Sequence, residues 1–243
     1  MIVIYFYHVP KCAGSYVTKL MRKLAKKTNG TYHNFYNRTT VIDPQETVEY
    51  NKFLESLPGD YPANATIFVH HHHGYPGLKK VYSNLKEAKE RVTLADPNNK
   101  FYIFTSVREV LGFITSRVNY LRNHCNGKLN FNKSFKIGTN HNYQCKYLLY
   151  NHVNNWREYN DQLDISEESI KEVLTVVDKV YTPRDINGLI SDLSRILELD
   201  IKSFWKDKKV NVSKKTFIMK NKDKQRLPKV NQRDIWLLDY VTR

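Results

Sequence analysis

Runs of β-branched and aromatic residues at 2–7 and 101–107 each give way, within a few residues, to a stretch whose apolar positions recur at helical spacing. This alternation constrains the fold more than any other feature. A strand apolar on both faces has to be covered on both faces, and an amphipathic helix that follows it can only run back across the sheet. After residues 2–7, Val17, Leu20, Met21 and Leu24 mark a helix over 15–27, with Ser15 as its expected N-cap and Lys23, Lys26 and Lys27 near its C-terminal end. A second apolar run at 65–69 leads into His70–His73, and a charged helix is expected over 84–95. After 101–107, Val110, Leu111, Ile114, Val118 and Leu121 mark a helix over 109–122. Further on, 141–162 reads as helical, 176–181 as a strand, 184–197 as a helix, 209–213 as a short strand and 231–241 as a last helix. The expected architecture is a single α/β domain over 1–243, a central parallel sheet flanked by helices.

Composition narrows the function classes. Lys and Arg number 39 against 24 Asp and Glu, a formal charge of +15, so something anionic is the expected partner. The chain holds 17 Tyr and 11 Phe, unlike a charge-dominated disordered segment. No stretch approaches the length of a membrane span, and mean hydropathy is −0.60, so no integral membrane segment is expected. A basic nucleic-acid-binding protein would match the charge, but no recognised module appears, and no nucleic acid is the expectation. Cys12, Cys125 and Cys145 have neither the number for a disulfide framework nor metal-ligand spacing. The Asn-x-Ser/Thr sites at Asn29, Asn37, Asn64, Asn132 and Asn211 read as a consequence of Asn-rich composition.

Three segments carry chemistry. Residues 8–16, His-Val-Pro-Lys-Cys-Ala-Gly-Ser-Tyr, form a tight turn between a buried strand and a helix N-terminus. Such a turn can offer backbone N–H groups and a positive dipole end to an anion, with Lys11 and Ser15 adding side-chain donors. It is not a Walker A loop, and from the residues alone it reads either as a phosphate cradle or as an ordinary strand-to-helix turn. At the end of the 101–107 strand, Arg108 precedes Ser116 by eight residues, two helical turns, so that both can reach one phosphate. In extended chain, His70 and His72 face one side and His71 and His73 the other. Adjacent histidines cannot all converge on one ion, and no metal is expected.

HVPKCAGS resembles the 5′-phosphosulfate loop of the Golgi-type carbohydrate sulfotransferases, H-x-P-K-T-[GA]-[GS]-[ST]. The pattern is nearest that of the heparan and dermatan/chondroitin sulfate 2-O-sulfotransferases. The segment from Val107 to Arg122 is similar to their 3′-phosphate segment, V-R-[DE]-P-x-x-R-x-x-S-x-Y-x-x-L-R. It lacks the Pro after Glu109 and has Phe113 where Arg is usual. The resemblance implies a P-loop-like sulfotransferase fold and 3′-phosphoadenosine 5′-phosphosulfate as sulfuryl donor. Lys11, Cys12, Ala13, Gly14 and Ser15 would hold its 5′ end, with Cys12 in place of the commoner Thr. Arg108 and Ser116 would hold the 3′-phosphate. Phe68–His72 is similar to the family's F-x-H-G-H segment, which implies His72 as general base and His70 as a supporting or alternative residue. Lys11 would also act in catalysis, stabilising charge on the leaving nucleotide.

Softer likenesses follow at Asn142–Leu148, a helix expected near the acceptor side, at 181–184, and at 210–215, where Lys214 and Lys215 precede a basic loop. The implied acceptor is a carbohydrate hydroxyl, with an acidic glycan as candidate. The implied location is cytoplasmic, or the Golgi lumen if the chain is a trimmed catalytic domain. A P-loop-like nucleotide phosphotransferase is the other enzyme class open. It calls for a Walker Lys-Ser/Thr and a magnesium-binding carboxylate, which the sequence does not display.

Overall fold

The computed structural model describes residues 1–36, 44–72, 75–124, 141–150, 163–205 and 219–243. In chain order the elements are β1 (Ile2–Tyr7), α1 (Gly14–Lys27), β2 (Thr31–Phe35), α2 (Pro44–Ser56), β3 (Thr66–His71), α3 (Leu78–Ala95), β4 (Lys100–Ser106) and α4 (Val110–His124). They continue with α5 (Tyr143–Tyr150), α6 (Glu167–Leu174), β5 (Lys179–Tyr181), α7 (Ile186–Leu197), α8 (Ile201–Phe204), α9 (Asn221–Val230) and α10 (Gln232–Thr242). The strands form one sheet in the order β2-β3-β1-β4-β5, and every pairing is parallel.

β1 takes the centre because it can be buried on both faces: Val3 to Tyr7 are all inaccessible to solvent. Its side chains alternate between two cores. Val3, Tyr5 and Tyr7 join Ile67, Val69, Phe101 and Ile103 beneath α2 to α6, with Leu227 of α9 and Leu237 of α10. Ile4 and Phe6 join Phe68 and Phe104 beneath α1, α7 and α8. The expected α/β architecture is what the chain adopts. No helix among the described residues is long and apolar enough to cross a membrane.

Four differences from the sequence reading have physical reasons. β2 (TYHNF) is an edge strand buried only at Phe35, so it carries no apolar run to betray it. α3 begins at Leu78 and not at 84, because its buried stripe, Leu78, Val81, Leu85, Ala88 and Val92, starts directly after Gly77. β5 is limited to Lys179–Tyr181, since Val177 N–H still bonds Leu174 O and Asp178 Oδ2 takes the Ile103 N–H at 2.7 Å. α6 follows a Ser166 N-cap, whose Oγ accepts from Ser169 N–H, with Glu167 and Glu168 in its first turn. The expected helix over 141–162 is present as α5 up to 150, while its remainder and the 209–213 strand lie outside the described residues.

The carboxyl ends of β1, β3 and β4 lie side by side, with Tyr7 in register with both His71 and Thr105. In an open parallel sheet that edge is where ligands bind.

Candidate active site

The turn after β1 is held in an unusual backbone conformation. Lys11 and Ala13 both have φ of 67°, the left-handed region that costs a non-glycine residue about 1–2 kcal/mol. Ala13 is therefore the N-cap of α1, its carbonyl accepting from the N–H groups of Tyr16 and Val17. Ser15, expected as the cap, is instead the second helical residue and is exposed. The N–H groups of Gly14 and Ser15 fall in the first turn, which has no intrahelical acceptors, at the positive end of the helix dipole.

Several contacts pin this turn. The Cys12 thiol is fully buried and donates to Gln144 Oε1 at 3.2 Å, and burial raises its pKa. Ser106 Oγ donates to Cys12 O, and Arg108 Nη1 lies 3.5 Å from Lys11 O. Gly14 is required by close approach: a Cβ there would sit 1.7 Å from His8 Nε2.

The histidines divide as strand alternation requires. His71 points into the core with Tyr7 and Tyr50 and bonds the Tyr5 hydroxyl; burial pulls its pKa down to about 3. His70 and His72 lie on the opposite side, ring centroids 5.7 Å apart. His70 Nδ1 meets Asn34 Oδ1 at 2.8 Å and its Nε2 meets His8 Nδ1 at 3.0 Å. Burial, with the nearby Arg22 charge, lowers the His70 pKa to about 4. His72 Nδ1 lies 2.9 Å from His8 O and 2.8 Å from the Tyr147 hydroxyl. A carbonyl can only accept, so Nδ1 carries the proton and the lone pair of the neutral ring is on Nε2. The ring is sandwiched between His8, 3.7 Å away, and Tyr36, 5.4 Å away. His73 lies outside the described residues.

A cleft of about 380 Å³ joins these groups. Lys11, Lys19, Arg22 and Arg117 line it with His8, His70 and His72, and among the described residues no Asp or Glu does. Lys11 Nζ stands 3.8 Å above the Tyr120 ring. Burial, followed by the charges of Arg117 and Arg108, lowers the Lys11 pKa to about 8. A like-charge cluster that weakens its own lysine is relieved by a bound anion.

Sequence reasoning missed part of this lining. Ser15, Thr18, Lys19 and Arg22 occupy positions i, i+3, i+4 and i+7 of α1, a polar stripe beside the buried one, and all four line the cleft. The spacing was visible, but half of every surface helix has such a stripe. Lys11 and Ser15 line the cleft, and so do His70 and His72. Arg108 and Ser116 do not. The Arg108 side chain lies back over the first turn of α4, where a Cβ on Gly112 would come within 3.0 Å of its Nε, and it approaches Glu109 Oε1 at 3.5 Å. Ser116 is half-buried one turn further on, and its neighbour Arg117 faces the cleft.

Gln144 is the other residue whose place the sequence did not show. The Asn142–Leu148 likeness suggested a helix beside an acceptor. Gln144 instead lies beneath both loops: Oε1 accepts from Arg108 N–H at 2.7 Å and from Cys12, and Nε2 donates to Arg108 O at 2.8 Å. The N-terminus of α5 is held by Asp234 of α10, which accepts from the N–H groups of Gln144 and Cys145 at 3.1 and 2.9 Å. No group of three or more His, Cys, Asp or Glu among the described residues is arranged to hold a metal ion.

The fold is thus an α/β parallel sheet with a basic, imidazole-walled cleft at its carboxyl edge. No protein-family model matches the chain, and no curated protein does. Among solved structures it is similar to a sulfotransferase from Alicyclobacillus acidocaldarius, at 13% identity and a TM-score of 0.45, covering 99% of this chain and 96% of that one.

Proposed function

We propose that the chain is a sulfotransferase that moves a sulfuryl group from 3′-phosphoadenosine 5′-phosphosulfate to the hydroxyl of a carbohydrate, with an acidic glycan as the acceptor class. The observation that carries this reading is the pairing, in one cleft, of four cations with an imidazole whose Nδ1–H is already bonded. A multiply anionic donor suits the cations, and the lone pair on His72 Nε2 suits removal of a hydroxyl proton. The motif resemblances select this donor from among the polyanions that would fit.

The nucleotide is consumed, so it is a substrate, and it supplies the sulfuryl group. The turn Lys11–Ser15 would hold its 5′ end through first-turn N–H groups and the Lys11 ammonium. Arg108 and Ser116 remain the proposed 3′-phosphate residues, and Arg117 adds a charge facing the cleft. As the bond from acceptor oxygen to sulfur forms, the bond from sulfur to the 5′-phosphate oxygen breaks, and the hydroxyl proton passes to His72 Nε2. Lys11 stabilises the charge left on the departing phosphate. Both ring nitrogens of His70 are engaged by protein groups, so His70 supports rather than accepts. A magnesium-dependent phosphotransferase would need a carboxylate here, and the described lining residues include none.

Calorimetry with the 3′,5′-bisphosphate nucleotide, magnesium-ATP and an RNA oligomer tests the reading. Tight, magnesium-independent binding of the bisphosphate alone is expected. His72→Ala should keep that affinity within about threefold and lose sulfuryl transfer by about 10²–10⁴-fold. Preference for magnesium-ATP or RNA would overturn the reading, and turnover retained in His72→Ala would move the base elsewhere.

A further inference from the structure

Three imidazoles stand on the inner wall of the cleft, and the reaction proposed above gives no role to His8. Its ring and carbonyl nevertheless contact both of the others. Asn34 Oδ1 accepts only, so His70 carries its proton on Nδ1, 2.8 Å away. His70 Nε2 then accepts, and the proton of a neutral His8 lies on Nδ1, 3.0 Å from it. Two hydrogen bonds, starting from a side chain on β2, therefore set both tautomers. His8 in turn meets His72 twice: its carbonyl accepts from His72 Nδ1–H at 2.9 Å, and its ring stacks on the His72 ring at 3.7 Å with 19° between planes. Gly14 lies directly against that ring, so the turn that cradles an anion and the ring that braces His72 are fitted to each other.

We infer that His8 is a positioning residue for the base: its carbonyl and its stacked neutral ring hold His72 as the Nδ1–H tautomer, and the Asn34–His70 chain holds His8. The inference rests on the reading that His72 takes the hydroxyl proton. Its electrostatic logic follows from what faces the pair. Lys11 comes from the turn, Lys19 and Arg22 from α1, Arg117 from α4, Tyr36 from the end of β2 and Tyr147 from α5. With four cations already present, a charged ring stacked on His72 would oppose proton uptake, whereas a neutral ring offers its π face to the imidazolium as it forms. The low pKa of His70 agrees with a chain that stays neutral.

Two substitutions separate the contacts. His8→Phe keeps a ring to stack and removes the donor to His70. His8→Asn keeps a donor placed like Nδ1–H and removes the ring. Long-range ¹H–¹⁵N correlation of the imidazoles reads tautomers in the intact protein, alongside calorimetry with the 3′,5′-bisphosphate nucleotide. In the wild type, His8, His70 and His72 should each show a single Nδ1–H tautomer. In His8→Phe the stacked ring remains and Asn34 Oδ1 still accepts from His70 Nδ1–H, so His72 and His70 should both keep their forms. In His8→Asn the ring that keeps His72 over the His8 carbonyl is lost, so His72 should become a tautomer mixture while His70 keeps its form. An Nε2–H tautomer at His8 or His70 in the wild type overturns the inference even if neither variant folds. An unchanged His72 in His8→Asn, with bisphosphate bound, overturns the inference alone. Failure of the wild type to bind bisphosphate overturns the sulfotransferase reading on which it rests.

Discussion

Raising the pH across the Lys11 titration should weaken anion binding in a way that identifies this lysine. Burial and the charges of Arg117 and Arg108 hold its pKa at about 8 against an ordinary 10.5. The folded protein therefore binds fewer protons than the unfolded chain between those values. The cost of keeping Lys11 charged is fully present below pH 8 and is relieved as pH rises toward 10.5, so stability rises across that window. A phosphate bound against Nζ returns the pKa toward 10.5, so binding takes up a proton. By linkage, affinity for the bisphosphate should fall about tenfold from pH 7 to pH 9, with about 0.75 proton taken up per ligand at pH 8.5. The ligand adds little to the slope, since a phosphate monoester has its second pKa near 6 and is mostly doubly ionised by about pH 7. Calorimetry in two buffers of different ionisation enthalpy measures the uptake directly. Lys11→Arg places a group that does not titrate in this range at the same position, so the pH slope should vanish in that variant. Uptake near zero in the wild type, or the same slope in Lys11→Arg, would show that Lys11 does not touch the anion.

The same geometry sets three further outcomes. Gln144→Ala leaves the N–H and C=O of Arg108 without their partner, and urea unfolding should show a loss of about 2–4 kcal/mol; a loss below about 1 kcal/mol would mean that water replaces the clasp. Ala13→Gly should stabilise the fold by about 0.5–1 kcal/mol, the reverse of the usual sign, because φ of 67° suits glycine; a thermal melt decides. Acid should destabilise the protein between pH 6.5 and about 4, since buried His70 and His71 are neutral when folded and protonate when unfolded. Each contributes on the order of 2 kcal/mol of loss by pH 5, seen as a fall in the urea midpoint between pH 7 and pH 5.

What the sequence disclosed, and what it hid, divides along the line between local and tertiary causes. The strand runs at 2–7 and 101–107 were legible because β1 and β4 are buried largely by their own apolar side chains. The turn after β1 was legible as a strand-to-helix junction with one Lys and one Gly. Alternation along β3 was enough to separate His70 and His72 from His71. β2 was not legible, because an edge strand reading TYHNF has one buried residue and no periodicity to show. That omission concealed the most informative part of the site. Asn34 stands opposite His70 only because β2 pairs with β3 in the register Asn34↔His70, and the chain reaches that place by passing α1 across β3. A slip of one residue in this pairing would turn Asn34 to the other face of the sheet and leave His70 Nδ1 without its acceptor. The tautomer of His8, and through it the orientation of His72, would then have no anchor. The order of the strands, which no local pattern encodes, is therefore what brings three histidines from two segments into one hydrogen-bonded and stacked cluster.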